Sequence, residues 1–249
     1  MTKLLRLFPL LFLACTGLLP AQTTVRFEPV LEGKPFALVT KSGDSGGAVP
    51  SSGNTSSGSH ASSGEGAAAG AVRVEVLRWY LSDLVLLRNG KPVFTPEKRH
   101  HLLDAEEPGS LDLQLATTPG LKYDEIRFTL GVDSLTAASG AFGDDLDPTN
   151  GMYWTWRSGY INFKLEGTAP ECPARKNRFQ FHVGGFQGAF ASQREVRLAV
   201  SPAPLVHIEV DLDRFFRLVD VGERYQIMSP TKTSAELADL LANLFTIPE

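Results

Sequence analysis

Cysteine is the scarcest residue in this 249-residue chain, which holds two, Cys15 and Cys172. Cys15 lies in a segment with the features of a removable leader, so the folded protein would keep Cys172 alone. A single cysteine excludes an internal disulfide. Pro170 and Pro173 flank Cys172. We therefore interpret it as a surface thiol in a loop rather than as a soft metal ligand.

An excess of positive charge is also missing. The formal net charge is −4, and no basic run is interleaved with aromatic residues, which argues against nucleic-acid binding. The Walker loop, G-x-G-x-x-G and HExxH are absent. No pair of carboxylates stands out for acid–base chemistry. We therefore predict that the protein is not an enzyme.

The first residues have the order of a secretory signal. Lys3 and Arg6 supply positive charge, the run Leu7–Leu19 is apolar, and Pro20 and Ala21 precede the expected cleavage site. The apolar run is too short to span a bilayer as a helix. We predict a signal peptide over residues 1–21 and a protein that is periplasmic or secreted.

A lipoprotein anchor at Cys15 is the alternative to cleavage after Ala21. Leu13-Ala14-Cys15 loosely resembles the segment before a lipidated cysteine, but the apolar run continues past Cys15. We therefore favour cleavage. The remaining residues, 22–249, are ordinary in hydrophobic content and suit one globular domain.

A Ser/Gly-rich segment interrupts that domain. Between Ser42 and Gly66, 16 of 25 residues are serine or glycine. Such a stretch cannot bury enough apolar area to offset the entropy of ordering it. We predict a disordered insertion over residues 42–70, in which His60 is incidental.

Apolar and polar residues alternate through most of the remaining chain, the period expected of half-buried strands. Asn89-Gly90 between apolar stretches predicts a hairpin turn. Near the C-terminus, Thr233 to Glu236 has capping-box spacing and is followed by leucines at helical spacing. The predicted fold is an all-β, antiparallel β-sandwich with Greek-key-like connections and a short C-terminal helix. The alternating segments are Val72–Val76, Leu111–Leu115, Ile126–Val132, Ile161–Leu165, Phe179–Val183, Val196–Val200 and Val206–Leu212.

Histidine is the residue type that could carry metal chemistry. Outside the Ser/Gly-rich segment the histidines are His100, His101, His182 and His207. Imidazoles from separate strands can form an open copper or zinc site, but spacing alone does not distinguish this from hydrogen-bonded histidines at or near the surface. His182 and His207 lie out of phase with their apolar neighbours and should face away from the core.

Two further segments are rich in residues that could bind ligands. Residues 140–151 carry oxygen-bearing side chains, which favour a compact turn over a hard-cation site because the spacing of a calcium loop is missing. Residues 152–160 hold four aromatic side chains, including Trp154 and Trp156. Core packing, a carbohydrate-stacking platform and an oxidised tryptophan are all compatible with this pattern.

Several of these stretches together resemble the MbnP-like family of methanobactin-associated copper-binding proteins. The resemblance runs from about Val25 to Phe245 and is most specific between Leu146 and Gly167. It is carried by Trp79–Leu84, His101–Asp104, Ile126–Asp133, Leu146–Trp156, Ser158–Gly167 and Phe181–Phe186.

This resemblance implies an exported, β-rich protein whose copper ion is held by histidine imidazoles. It also implies that a tryptophan can be oxidised to kynurenine by a partner di-haem peroxidase of the MauG type. Carried over by motif, the copper ligands would be His101, His182 and His207, and the modified residue would be Trp154 or Trp156. The alternative function is a surface interaction or carbohydrate-binding module built on the two tryptophans.

Overall fold

The computed structural model describes residues 21–36, 38, 71–154 and 158–248. The Ser/Gly-rich insertion, His60, Trp156 and all of the leader except Ala21 lie outside these residues. The described part contains fourteen strands and three α-helices. The strands are Ala21–Leu31 (β1), Lys34–Pro35 (β2), Arg73–Arg88 (β3), Lys91–Phe94 (β4), His100–Asp104 (β5), Asp112–Thr117 (β6), Glu125–Leu130 (β7), Tyr153–Trp154 (β8), Gly159–Thr168 (β9), Arg178–Gly184 (β10), Arg194–Ala199 (β11), Leu205–Asp211 (β12), Gln226–Ile227 (β13) and Phe245–Thr246 (β14). The helices are Ser134–Ser139 (α1), Leu212–Leu218 (α2) and Lys232–Ala242 (α3).

Two sheets pack face to face, as the alternating pattern predicts. One sheet has the order β14-β12-β1-β2, with β6 also paired to β1. The other has the order β11-β7-β3-β9-β10-β13, with β4 and β5 paired to β3 and β8 paired to β9. The all-β sandwich with a C-terminal helix is confirmed. Two strand pairs, β1 with β12 and β10 with β13, are parallel.

The main core lies between the sheets and is rich in aromatic rings. Phe27 of β1 packs edge-on against Trp79 of β3 and Phe128 of β7, with ring centroids 6.1 and 5.7 Å apart. Trp79 stacks on Phe163 of β9. These contacts join strands of both sheets, so burial of the apolar side chains that alternate along them holds the sandwich together.

β3 is longer than the sequence pattern predicts. The pattern indicates a strand at Val72–Val76 and a separate hairpin strand at Leu84–Leu87, but the structure has one continuous strand. Its middle is buried on both faces, so apolar residues stand at successive positions and the alternation disappears. The predicted hairpin turn is confirmed, with Asn89 and Gly90 both at positive φ.

The larger sheet divides along β3. Residues 73–79 of β3 pair with β9, and residues 81–87 pair with β7. Asn162 fills the point of division: its Oδ1 accepts from Val132 N at 3.0 Å and its Nδ2 donates to Ser192 Oγ at 2.8 Å. Gly131 is at φ +107, and a Cβ there would lie 2.5 Å from Asn162 Cγ. Glycine is therefore required where the two branches separate.

The face of the larger sheet turned away from the main core, here called the outer face, carries a second apolar cluster. α1 and the loop from residue 140 to residue 152 cover this cluster together with β8. Its buried members are Tyr80, Val132, Ala137, Leu146, Met152, Trp154, Tyr160 and Ile161. None of the helices in the described residues is long and apolar enough to cross a membrane.

Candidate functional site

His182 lies at the end of a row of polar side chains that crosses four strands of the outer face. The strand register places His182 of β10 opposite Lys164 of β9, Lys164 opposite Arg78 of β3, and Arg78 opposite Asp104 of β5. Their neighbours along each strand point into the main core, so strand alternation directs this row outward. The position of His182 out of phase with its apolar neighbours correctly predicts that it faces away from the core.

The His182 imidazole is buried and paired with a carboxylate. Its Nε2 lies 2.8 Å from Glu166 Oε1. Glu166 also contacts Arg178, at 3.2 Å, and Lys164, at 3.5 Å. The hydrogen bond with His182 and the charge of Lys164 outweigh the effect of burial and lower the pKa of Glu166 to about 2. No hydrogen bond to the other His182 nitrogen, Nδ1, is found within the described residues.

Two cations of the row hold the loop that leads to Trp154. Arg78 Nη1 donates to the Asn150 carbonyl oxygen at 3.0 Å, and Lys164 Nζ donates to the Gly151 carbonyl oxygen at 3.3 Å. Arg78 Nε also lies 2.7 Å from Asp104 Oδ2. The polar row therefore has a positioning role, because it fixes the backbone just before β8.

Trp154 packs against the strand that carries His182. Its relative exposure is 8%, and a Cβ on Gly184 would lie 2.6 Å from Trp154 Cζ3. The ring fills the space that the missing side chain at Gly184 leaves. Trp154 therefore offers no open ring face for stacking on a sugar, and it gives no support to the carbohydrate-binding alternative.

His101 lies on the other face of the same sheet. It is opposite Leu81 of β3, which is a core residue. Three inter-strand spacings separate β5 from β10, so the two strands lie about 14 Å apart. His101 Nε2 lies 3.2 Å from the Lys98 carbonyl oxygen. Burial and the charge of Lys98 lower the pKa of His101. The structure does not bring His101 and His182 together.

His207 belongs to the other sheet. It lies on β12 opposite Arg26 of β1, where it is half-buried. The main core separates β12 from the outer face. His207 lines a surface cavity of about 500 Å³, which it shares with Asp124 and the end of β11. Its surroundings are thus unrelated to those of His182.

The predicted set of three histidine ligands is therefore not formed. Across residues 21–36, 38, 71–154 and 158–248, no group of three or more His, Cys, Asp or Glu side chains is placed to hold a metal ion. Of the three histidines, His182 has the surroundings of a ligand, because a carboxylate holds its other nitrogen. His101 and His207 each lie in a separate environment.

A second histidine–carboxylate contact lies on the outer face and was not predicted from the sequence. His100 is opposite Ser82 of β3, on the same face as Tyr80, and its Nε2 lies 3.3 Å from Asp133 Oδ2. Burial alone would raise the pKa of Asp133. Hydrogen bonds with Thr136 and His100, together with the charge of Arg99, lower the pKa of Asp133 to about 2. Alternation shows that His100 and His101 face opposite ways, but it does not show which of them faces outward.

Two other expectations are settled by the contacts. Cys172 is fully buried, and its Sγ donates to the Arg178 carbonyl oxygen at 3.0 Å, so the prediction of a surface thiol is wrong. The segment 140–151 is the compact turn that the sequence favours. Asp145 contacts Lys98 Nζ at 2.7 Å, and Asp147 accepts from Thr149 N at 2.8 Å. These carboxylates are satisfied by the protein itself.

These features define a mixed-sheet β-sandwich with a buried histidine–carboxylate pair on its outer face. The MbnP family model matches residues 20–231, which is most of the chain. The chain therefore belongs to the MbnP family. A solved structure of the same fold is MbnP from Methylosinus trichosporium, with a TM-score of 0.52 and 16% sequence identity over 81% of this chain and 79% of that one. No curated protein matches the chain.

Proposed function

We propose that this chain is an exported copper-handling protein of the MbnP family, with no catalytic activity of its own, and that His182 is its principal protein ligand for copper. The observation that carries the proposal is the His182–Glu166 pair. Histidine ligands of metals commonly have their second ring nitrogen held by a carboxylate, and imidazole nitrogen suits copper in both accessible oxidation states.

The charges around the pair support a division of roles within it. Lys164 and Arg178 already contact Glu166. A carboxylate paired with two cations is a poor ligand for another cation, so we assign Glu166 to the orientation of His182. This leaves His182 Nδ1 as the donor atom. The proposal differs from the three-histidine set, because neither His101 nor His207 has access to the same point.

Copper retention tests this assignment. The mature domain is loaded with copper, freed of excess by gel filtration, and its metal content is measured by mass spectrometry. We expect stoichiometric copper in the unaltered protein and a large loss in His182→Ala. His207→Ala is the matched control, since it removes an imidazole from the other sheet, and it should retain copper. Absence of copper from the unaltered protein, or equal losses in both variants, would show the assignment to be wrong.

We further propose that a tryptophan in the segment that follows the loop held by Arg78 and Lys164 is oxidised to kynurenine by a di-haem peroxidase of the MauG type. Trp154 is the member of the predicted pair that lies in the described residues. The contacts of Arg78 and Lys164 with Asn150 and Gly151 fix its approach to β10. Trp154 is held in one position and is only 8% exposed, so a docked oxidising partner would approach the same edge of the ring each time.

Peptide mass spectrometry tests this modification. Trypsin releases residues 128–157 as one peptide that contains both Trp154 and Trp156. Conversion to kynurenine removes one carbon atom and adds one oxygen atom, and fragmentation assigns the change to one tryptophan. We expect the altered peptide from cells that make a di-haem peroxidase of this type and the unaltered peptide from cells that lack it. An unaltered peptide from both would contradict the proposal.

A further inference from the structure

β11 forms an edge of the larger sheet, and its outward backbone groups have no strand partner within the described chain. β11 pairs with β7 alone. Val200 N donates to the Asp124 carbonyl oxygen at 3.0 Å, which continues that ladder. Since backbone groups alternate in direction along an antiparallel ladder, the N–H and C=O groups of Glu195, Arg197 and Ala199 point away from β7.

The short strand β14 provides a second wall opposite this edge. It pairs with β12, where Asp211 N donates to the Leu244 carbonyl oxygen at 2.9 Å. By the same alternation the backbone of Phe245 points away from β12. One side of the sandwich is therefore bordered by two strands, one from each sheet, that are not paired with each other.

Two cavities lie end to end between these strands and form what we call the edge groove. The first, of about 380 Å³, is lined by residues 194–198 of β11 and by Phe245 and Thr246. The second, of about 500 Å³, begins at Ala199 on one wall and Ile247 on the other. Residues 194–200 span about 20 Å as an extended strand. The edge groove is therefore as long as a typical strand.

The charges that line the first cavity are unevenly matched. Arg194, Arg197 and Arg214 line the first cavity with two acids, Glu195 and Asp239. Arg194 pairs with Asp239, and Arg197 pairs with Glu195. The Arg214 guanidinium makes no ion pair or hydrogen bond to any side chain or backbone group of the described residues. Asp124 lines the second cavity and balances the charges of the groove as a whole. The unpaired positive charge is therefore local to the first cavity, where Arg214 lies beside the exposed backbone of β11.

We infer that the edge groove binds an extended acidic peptide segment of a partner protein by strand addition to β11. The exposed backbone of the edge would supply the main-chain hydrogen bonds. Leu198, Val200 and Ile247 would take the apolar side chains that point inward. A carboxylate on the peptide would pair with Arg214. This site is separate from the His182–Glu166 pair, and the inference does not depend on copper binding.

The test uses a fluorescently labelled peptide of alternating valine and glutamate and the full mature protein, with binding followed by fluorescence anisotropy. We expect saturable binding. Arg214→Ala should weaken it about tenfold, the value of one charge-assisted hydrogen bond. Arg217→Ala is the matched control: it lies on the same helix and removes the same charge outside the groove, so affinity should not change.

A second peptide separates strand addition from simple charge attraction. N-methylation of alternate residues removes the main-chain donors and keeps every side chain. The methylated peptide should not bind. Equal binding of both peptides, or equal losses in Arg214→Ala and Arg217→Ala, would overturn the inference. Self-association of the protein that Arg197→Glu abolishes would also overturn it, because the edge would then pair with a second copy of this chain.

Discussion

Replacement of Trp79 by alanine is expected to lower the free energy of unfolding by about 3–5 kcal/mol, the usual cost of removing a large aromatic side chain from a core. Trp79 is fully buried. Its ring contacts Phe27 and Phe245 from one sheet and Phe163 from its own. The variant would leave a cavity between the sheets that these rings cannot all move to fill.

Chemical denaturation followed by circular dichroism measures this loss. Leu135→Ala is the control, because Leu135 is 77% exposed and its truncation should have little effect. Trp79→Phe should cost less than Trp79→Ala for two reasons. It keeps most of the ring contacts, and it removes an indole N–H that is buried without a hydrogen-bond partner among the described residues. A loss below about 1 kcal/mol in Trp79→Ala would show that the core adjusts freely.

The charge of Glu166 is expected to make stability depend on pH. Its pKa falls from the usual 4.5 to about 2 in the folded protein, chiefly through the hydrogen bond with His182. A carboxyl with a lowered pKa stabilises the fold at pH values above 4.5, and this contribution is lost as the pH falls towards 2. The difference between the two pKa values corresponds to about 3 kcal/mol.

The variant Glu166→Gln isolates this contribution. It keeps an oxygen acceptor near His182 but removes the negative charge that Lys164 and Arg178 also contact. We expect the variant to be about 3 kcal/mol less stable at neutral pH and the difference to vanish between pH 4.5 and 2. Asp133 also has a lowered pKa, but its contribution to the pH dependence of stability is the same in both proteins and cancels in the comparison. A difference that persists at pH 2 would refute the assignment to the Glu166 charge.

Strand positions could be predicted from the sequence wherever one face of a strand is buried. Ile126, Phe128 and Leu130 of β7 alternate with polar residues, and all three are in the core. The pattern could not show that β1 and β12 run parallel, because alternation is the same for both directions of pairing. It also placed the start of α3 at Thr233, whereas Thr231 caps the helix by accepting from Ser234 N.

The site was harder to predict than the fold, because it depends on strand register. The residues of β9 that face away from the core, Lys164 and Glu166, could be identified by alternation. Their placement beside His182 of β10 could not, since a shift of register by two residues preserves the pattern and changes every neighbour. For the same reason His182 and His207 could be placed on strands from the sequence, but the separation of the three histidines could not be predicted.

The parallel pairing of β1 with β12 has a consequence for how the chain acquires its structure. Thr24 is paired with Leu205, so β1, the first strand of the described chain, cannot pair with β12 until the chain has been made almost to its C-terminus. Until β12 has been synthesised, Val25 and Phe27 lack half of their neighbours, and the smaller sheet cannot close. Pairings between distant segments form slowly. The smaller sheet is therefore completed only after the strands of the larger sheet up to β11 have been synthesised.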